Sequence, residues 1–249
     1  PAEMLRDADT AMYKAKTNGK ARYALFDSAL HTEVAHRLRL EGELRRALAA
    51  GQLSVAYQPL FDLDTGRVTG FEALARWHHA ELGTISPAVF IAVAEDAGLM
   101  WPLTDFVLRT ACHQLREWQS RDPAFARLNM HVNVSGNDIA HAGFVARVNT
   151  ALVEARLQAQ DLTLELTEHV MLDDVVAVGR AMARLKAMGV KLALDDFGTG
   201  YSSLTYLRQL PLDLLKIDRS FVREIDTNAS DRAIVKTILD FAQSLGLSV

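Results

Sequence analysis

The chain has 249 residues, 49% of them hydrophobic and only six prolines, which is enough apolar material for one large domain with a small appendage and too much for a disordered chain. A net charge of -4 with acids and bases interspersed gives no footprint for duplex nucleic acid or an anionic membrane surface, and the single cysteine, Cys112, excludes an internal disulfide and a cysteine-based zinc cluster. No run reaches the ~18 apolar residues of a membrane span and no signal peptide stands at the front, so a soluble, reducing, cytoplasmic setting is expected, with a start at Pro1 that suggests a cut from a longer chain.

In chain order, apolar positions of helical period alternate with runs of period two. HRLRLEGELRRALAAG (36–51) reads as a helix, and LSVAYQPLFDL (53–63) and VTGFEALARW (68–77) read as strands. PAVFIAVAEDAG (87–98) and PLTDFVLRTACHQLREWQSR (102–121) are helical, followed by the strand LNMHVNVS (128–135) and the helix AGFVARVNTALVEARL (142–157). Then come the strand LTLELTE (162–168), the helix DDVVAVGRAMARLKAMG (173–189), the strands VKLALDDFG (190–198) and LLKID (214–218), and the helix SDRAIVKTILDFAQSLG (230–246). His78 and His79, just past the second strand, read as loop residues; Trp77, Trp101 and Trp118 read as packing residues; Lys186 and Lys191 read as solvated or strand-start charges. This alternation predicts an α/β fold with a mostly parallel sheet, either an open doubly wound sheet or a closed (β/α)8 barrel.

Strand parity separates the two, because successive side chains point to opposite faces. Leu162, Leu164 and Leu166 oppose Thr163, Glu165 and Thr167; Met130, Val132 and Val134 oppose Asn129, His131, Asn133 and Ser135. Phe71, Ala73, Ala75 and Trp77 oppose Glu72, Leu74 and Arg76; Leu192 and Leu194 oppose Ala193 and Asp195; Leu215 and Ile217 oppose Leu214, Lys216 and Asp218. Each strand thus has an apolar face for helices and a face with a polar group near its C-terminal end. An open sheet covered on both sides would bury those groups at a cost of several kcal/mol each, whereas a barrel gathers them at its C-terminal mouth.

Glu72, Glu165, Asp195 and Asp196 would crowd that mouth, Asp196 joining because the strand ends there and Gly198 and Gly200 let the backbone turn. Like charges ~4 Å apart repel by about 4 kcal/mol per pair at an effective dielectric of ~20, so raised pKa values or bound cations are needed. Oxygen-only ligands, with Asn133 adding an amide oxygen, suit Mg²⁺ or Mn²⁺, and a pair of such ions suits phosphodiester hydrolysis. His131, a step deeper than Asn133, reads as a hydrogen-bonded core histidine, and Asp218 as either a salt-bridge partner of Lys216 or a ligand.

FEALARW, HVNVSG, LELTE, LALDDFGTGYSSL and LKIDRSF stand in an order and spacing that resembles the EAL domain family of cyclic di-GMP phosphodiesterases, across about Ala35 to Val249. The resemblance implies a TIM-like (β/α)8 barrel with an antiparallel first strand, hydrolysis of cyclic di-GMP to linear pGpG with two divalent ions (Mg²⁺ or Mn²⁺), and a homodimer. It implies metal binding by Glu72, Asn133, Glu165, Asp195 and Asp196, water activation by Lys216, and substrate contacts by Gln58, Leu74 and Arg76, with Arg76 and Gln58 matching holders of a phosphate and a guanine. Glu168 matches a glutamate supporting the loop Phe197 to Leu204, which matches a mobile element linking metal binding to dimerisation.

Residues 1–27, with LRDADTAMYKAKTNGKARYALFD, look like the C-terminal tail of a GGDEF diguanylate cyclase domain without its catalytic loop; residues 28–50 would be a connector helix and 51–249 the EAL domain. The sequence stops at LGLSV, before the EGVE-like and QGY-like segments of the family, so the barrel is expected to lack its C-terminal strands. An inactive EAL module that binds cyclic di-GMP or a partner protein is the alternative function, and another metal-dependent barrel hydrolase a third.

Overall fold

The computed structural model describes residue 12 and residues 28–167, 175–198, 207–208 and 210–249. Its contacts divide the chain into two units, residues 1–54 with 75–103 and residues 55–74 with 104–249.

The first unit is built on helix α1 (Ser28–Ala49), whose Leu40, Leu44 and Ala47, spaced along one helical face, are buried. The end of strand β2 (Val68–His79) pairs antiparallel with the short strand β3 (Gly83–Ile85), Trp77 opposite Ile85 and His79 opposite Gly83. His78 and His79 are therefore strand residues, not loop residues as the sequence suggested. His79 Nδ1 accepts the N–H groups of Glu81 (3.1 Å) and Leu82 (3.2 Å), which ties the tight turn that the polar sequence disguised. Helix α2 (Pro87–Asp96) places buried Phe90 edge-on to Trp77 at 6.1 Å, and Arg37 of α1 pairs with Asp96.

The second unit carries the sheet that holds the polar residues. Strand β1 (Leu53–Phe61) neighbours β2, and the two are joined by a turn closed by Asp62 and Arg67 (2.9 Å); so short a link permits only the antiparallel arrangement expected for the first strand. From β2 the ladder is parallel through β4 (Asn129–Val134), β5 (Leu162–Thr167), β6 (Lys191–Phe197) and β7 (Leu214–Ile217), in that order.

One face is continuous aliphatic surface: Met130, Val132, Leu162, Leu164, Leu166, Leu192, Leu194 and Leu215 are each fully buried. Burial of a side chain of this size stabilises by about 1.5–3 kcal/mol. Helix α3 (Met100–Arg121) brings Trp118 against Tyr57 and Phe71, with ring centroids 4.9 and 4.6 Å apart. The short α4 (Gly136–Ala140) packs on α5 (Phe144–Ala155) and α6 (Val175–Met188), and α6 on β6. Helix α7 (Arg219–Val222) packs on α8 (Ala229–Ser244), which covers β7 and places Ile238 and Phe241 in the cluster of Leu194, Phe197 and Leu215. Lys186, expected to be solvated, pairs with Asp213, whose Oδ2 also accepts Leu192 N–H (2.8 Å).

The fold is thus the α/β arrangement with a mostly parallel sheet that the alternation of helical and period-two runs predicts; the closed barrel is the expectation drawn from strand parity. Among the described residues it does not close into a barrel. Closure requires a partner for every strand edge, and beyond β7 the chain provides one parallel bridge, Leu214 to Ser248.

Candidate active site

The polar face of the parallel ladder carries the functional candidates, and the register decides which of them meet. Glu72 lies opposite His131, Asn133 opposite Glu165, and Thr167 opposite Asp195. Going from β2 to β4, and again from β5 to β6, the acidic or amide residue sits two residues further along its strand. In a sheared, tilted sheet such a stagger brings side chains at different register levels to one height. Oxygens of Glu72, Glu165 and Asp195 accordingly lie within 4.8 Å of one another. Asn133 joins them by donating its Nδ2 to Glu72 Oε1 at 2.8 Å.

The two adjacent aspartates are presented by a bulge. Leu194 pairs with Leu215 and Phe197 with Ile217, so Asp195 and Asp196 together face the single Lys216. Asp196 takes the left-handed conformation (φ 54°) that this requires. Strand β6 therefore runs on through Asp196 to Phe197, instead of ending at the aspartates as the sequence suggested. At Gly198 (φ 102°) a Cβ would come within 2.8 Å of the Phe221 ring, so glycine is required there for space as well as for conformation.

Lys216 occupies the middle of the cluster. Its Nζ donates to Glu165 Oε2 (2.5 Å), Asp195 Oδ2 (3.0 Å) and Glu72 Oε2 (3.4 Å), which uses its three protons. Burial alone would lower its pKa, but the charges of Glu165, Asp195 and Glu72 overcome that and raise it. The buried Glu165 is opposed by desolvation in the same way, yet its carboxyl is held below the usual range by His131 and Lys216. The predicted crowding of carboxylates is real, and a cation belonging to the chain offsets it.

Asp196 behaves differently from its neighbour. It is exposed and stands outside the three-carboxylate cluster, and desolvation followed by the charges of Asp195 and Asp218 pushes its carboxyl above the usual range. Asp196 and Asp218 share a hydrogen bond, while Asp218 also accepts Ser220 N–H (2.8 Å) as the cap of α7. Since Lys216 spends its donors elsewhere, Asp218 serves as a helix cap and a partner for Asp196.

His131 is the hydrogen-bonded histidine expected, and its partner is informative: Nδ1 lies 2.6 Å from Glu165 Oε1. Sequence reasoning missed this link because inward parity was legible but register was not. Gln58 is exposed on β1, and Leu74 is half-buried on β2. Arg76, in the first unit, is half-buried and donates Nη1 to its neighbour's carbonyl, Ala75 O, at 2.9 Å. Glu168, residues 199–206 of the loop after β6, and all of residues 1–27 except residue 12 lie outside the described residues.

A carboxylate and amide oxygen set on the polar face of a parallel α/β sheet, with a lysine between the acids, has the donor chemistry of a hard divalent cation site. The EAL domain model matches residues 41–249, and the chain belongs to the EAL domain family.

Among relatives, the bifunctional diguanylate cyclase/cyclic di-GMP phosphodiesterase MucR of Pseudomonas aeruginosa is 41% identical over 99% of this chain and 36% of its own length. The cyclic di-GMP phosphodiesterase NbdA of the same organism is 40% identical over 99% of this chain and 31% of its own length. The chain thus spans about a third of the length of these curated relatives. A solved structure described as the PaMucR phosphodiesterase in complex with c-di-GMP superposes with a TM-score of 0.78 at 42% identity, covering 84% of each chain. Among the described residues, no helix is long and apolar enough to cross a membrane.

Proposed function

We propose that this chain is a cytoplasmic cyclic di-GMP phosphodiesterase module that hydrolyses its substrate to linear pGpG. The observation that carries the reading is the convergence of Glu72, Glu165 and Asp195 around Lys216. Support comes from the named activities of MucR and NbdA, relatives about 40% identical along nearly all of this chain. In this reading residues 51–249 form the catalytic domain, 28–50 a connector and 1–27 the tail of a cyclase domain, and the protein is a homodimer.

The oxygen donors present fit a pair of Mg²⁺ or Mn²⁺ ions, which Glu72, Asn133, Glu165, Asp195 and Asp196 would hold. Such ions supply Lewis-acid activation of water and neutralise charge on the phosphoryl group. Lys216, already at the carboxylates, would turn the N–H of its longest bond, 3.4 Å to Glu72 Oε2, to the attacking water and steady the negative charge that builds as its proton leaves. Asp196 and Asp218 are joined by a hydrogen bond at the rim. Glu168 supports the loop after β6, and Gln58, Leu74 and Arg76 bind the guanine and phosphate, assignments that rest on the resemblance of their stretches. In the reaction the water oxygen bonds to one phosphorus, the bond from that phosphorus to the 3′ oxygen breaks, and the 3′ oxygen takes a proton.

The test is incubation with cyclic di-GMP and Mg²⁺ or Mn²⁺, with nucleotides followed by chromatography. Linear pGpG that disappears in Asp195→Asn and in Glu72→Ala is expected. Unchanged turnover in either variant overturns the metal assignment, and tight binding without product points to the non-catalytic module.

A further inference from the structure

The geometry points to His131 as a positioning residue that fixes the rotamer of Glu165, so that one carboxylate oxygen is committed to the imidazole and the other to the cation centre. The inference rests on the reading of Glu72, Glu165 and Asp195 as a divalent cation site.

The two oxygens of Glu165 have different partners: Oε1 meets His131 Nδ1 at 2.6 Å and Oε2 meets Lys216 Nζ at 2.5 Å. The Glu165 side chain is completely buried, so neither oxygen has water as a substitute partner. A carboxylate at a strand terminus can ordinarily rotate about its last torsion, which is broad and twofold. Here that rotation would break two charge-assisted hydrogen bonds in a dry environment.

Register explains why a histidine does this. His131 lies opposite Thr163, two residues before Glu165 on β5, so its ring approaches the carboxylate from below while Asn133, level with Glu165, is turned to Glu72. A side chain without a donor at the position of Nδ1 would leave Glu165 Oε1 unpaired in that dry environment. The usual arrangement in metal sites has a carboxylate orienting a ligating histidine; here the histidine orients a carboxylate. Hydrogen-bond partners of ligating groups commonly govern metal affinity by 10–100-fold.

The test compares wild-type protein, His131→Leu and His131→Asn by Mn²⁺ titration followed by electron paramagnetic resonance, with kcat and KM measured in parallel and circular dichroism as a fold control. The asparagine amide nitrogen takes the place of Nδ1, whereas leucine fills space without a donor. The expected result is Mn²⁺ affinity about 10–100-fold weaker in His131→Leu, a fall in kcat with KM little changed, and recovery of most of the affinity in His131→Asn. If His131→Leu does not fold, His131→Gln, whose amide sits one methylene further out, replaces it with the same expectation. Affinity in the leucine variant within about twofold of wild type, or equal losses in leucine and asparagine variants, overturns the positioning role while leaving the metal site standing. Absence of Mn²⁺ binding by wild-type protein overturns the metal site itself and this role with it.

Discussion

Replacing Lys216 by methionine keeps most of the apolar stem and removes the one positive charge at the centre of three acids. At an effective dielectric of ~20 the ammonium attracts Glu165 by about 7 kcal/mol, Asp195 by about 6 and Glu72 by about 5 at the observed 2.5, 3.0 and 3.4 Å. Those gross terms are opposed by the cost of burying the ammonium and acids, so the net loss expected is that of breaking a buried ion pair, about 3–5 kcal/mol. The acids left behind, with oxygens within 4.8 Å, repel by about 3 kcal/mol or more per pair.

Urea denaturation in EDTA at neutral pH should therefore show the variant less stable by about 3–5 kcal/mol. Added Mn²⁺ should recover more stability in the variant than in wild type, because the ion no longer competes with a resident cation. The pH dependence has a defined sign. Glu165 is held below its ordinary range in the folded state, so its contribution is present above the unfolded value of ~4.3 and is lost as pH falls through the folded value. The gap between wild type and variant should close in acid. A difference under about 1 kcal/mol in EDTA, against the 3–5 expected, would refute the view that Lys216 holds the acids together.

Cys112 is fully buried and desolvation pushes its thiol up to about 12, so native protein should resist thiol reagents at pH 8 and react once unfolded in urea; rapid labelling of native protein would contradict its burial. At Gly70 a Cβ would fall 2.4 Å from Asn129 O of the neighbouring strand, and Gly70→Ala should lower stability by about 1–3 kcal/mol. Gly179, in the interior of α6 with open space around it, should become more stable by about 0.5–1 kcal/mol as alanine, and thermal melts of the two variants should move in opposite directions. Asp138 is buried and accepts the hydroxyls of Thr104 and Ser135, each at 2.7 Å, in the capping box that starts α4; Asp138→Ala strands both donors and should cost about 1–3 kcal/mol by the same measurement.

Parity was the informative signal in the sequence, because it depends only on a residue's place within its own strand. It put Glu72, Asn133, Glu165, Asp195 and Lys216 on one face and the aliphatic residues on the other, and the described strands keep that division. What parity lacks is height. Whether His131 meets Glu165 or Thr163, and whether Asn133 reaches Glu72, depends on the shift between β2, β4 and β5, which is set by packing across distant parts of the chain. The hairpin of β2 and β3 escaped for a different reason: its three paired positions are too few for a period to register, and its turn is held by the His79 ring rather than by a recognisable turn dipeptide.

The adjacent aspartates join the two cases. Two consecutive residues of a regular strand point to opposite faces, so parity alone sends Asp196 towards the helices, where a carboxylate would have no partner. The extra residue between Leu194 and Phe197 and the left-handed turn at Asp196 remove that conflict, presenting Asp195 to Lys216 and Asp196 to Asp218. The bulge is thus the local irregularity that two neighbouring acids demand of a strand whose next residue, Phe197, must return to the core against Phe241. A regular β6 would keep Asp195 and sacrifice either Asp196 or the packing of Phe197. The cost of a left-handed aspartate is of order 1–3 kcal/mol, and burying Phe197 alone offsets an amount of that size.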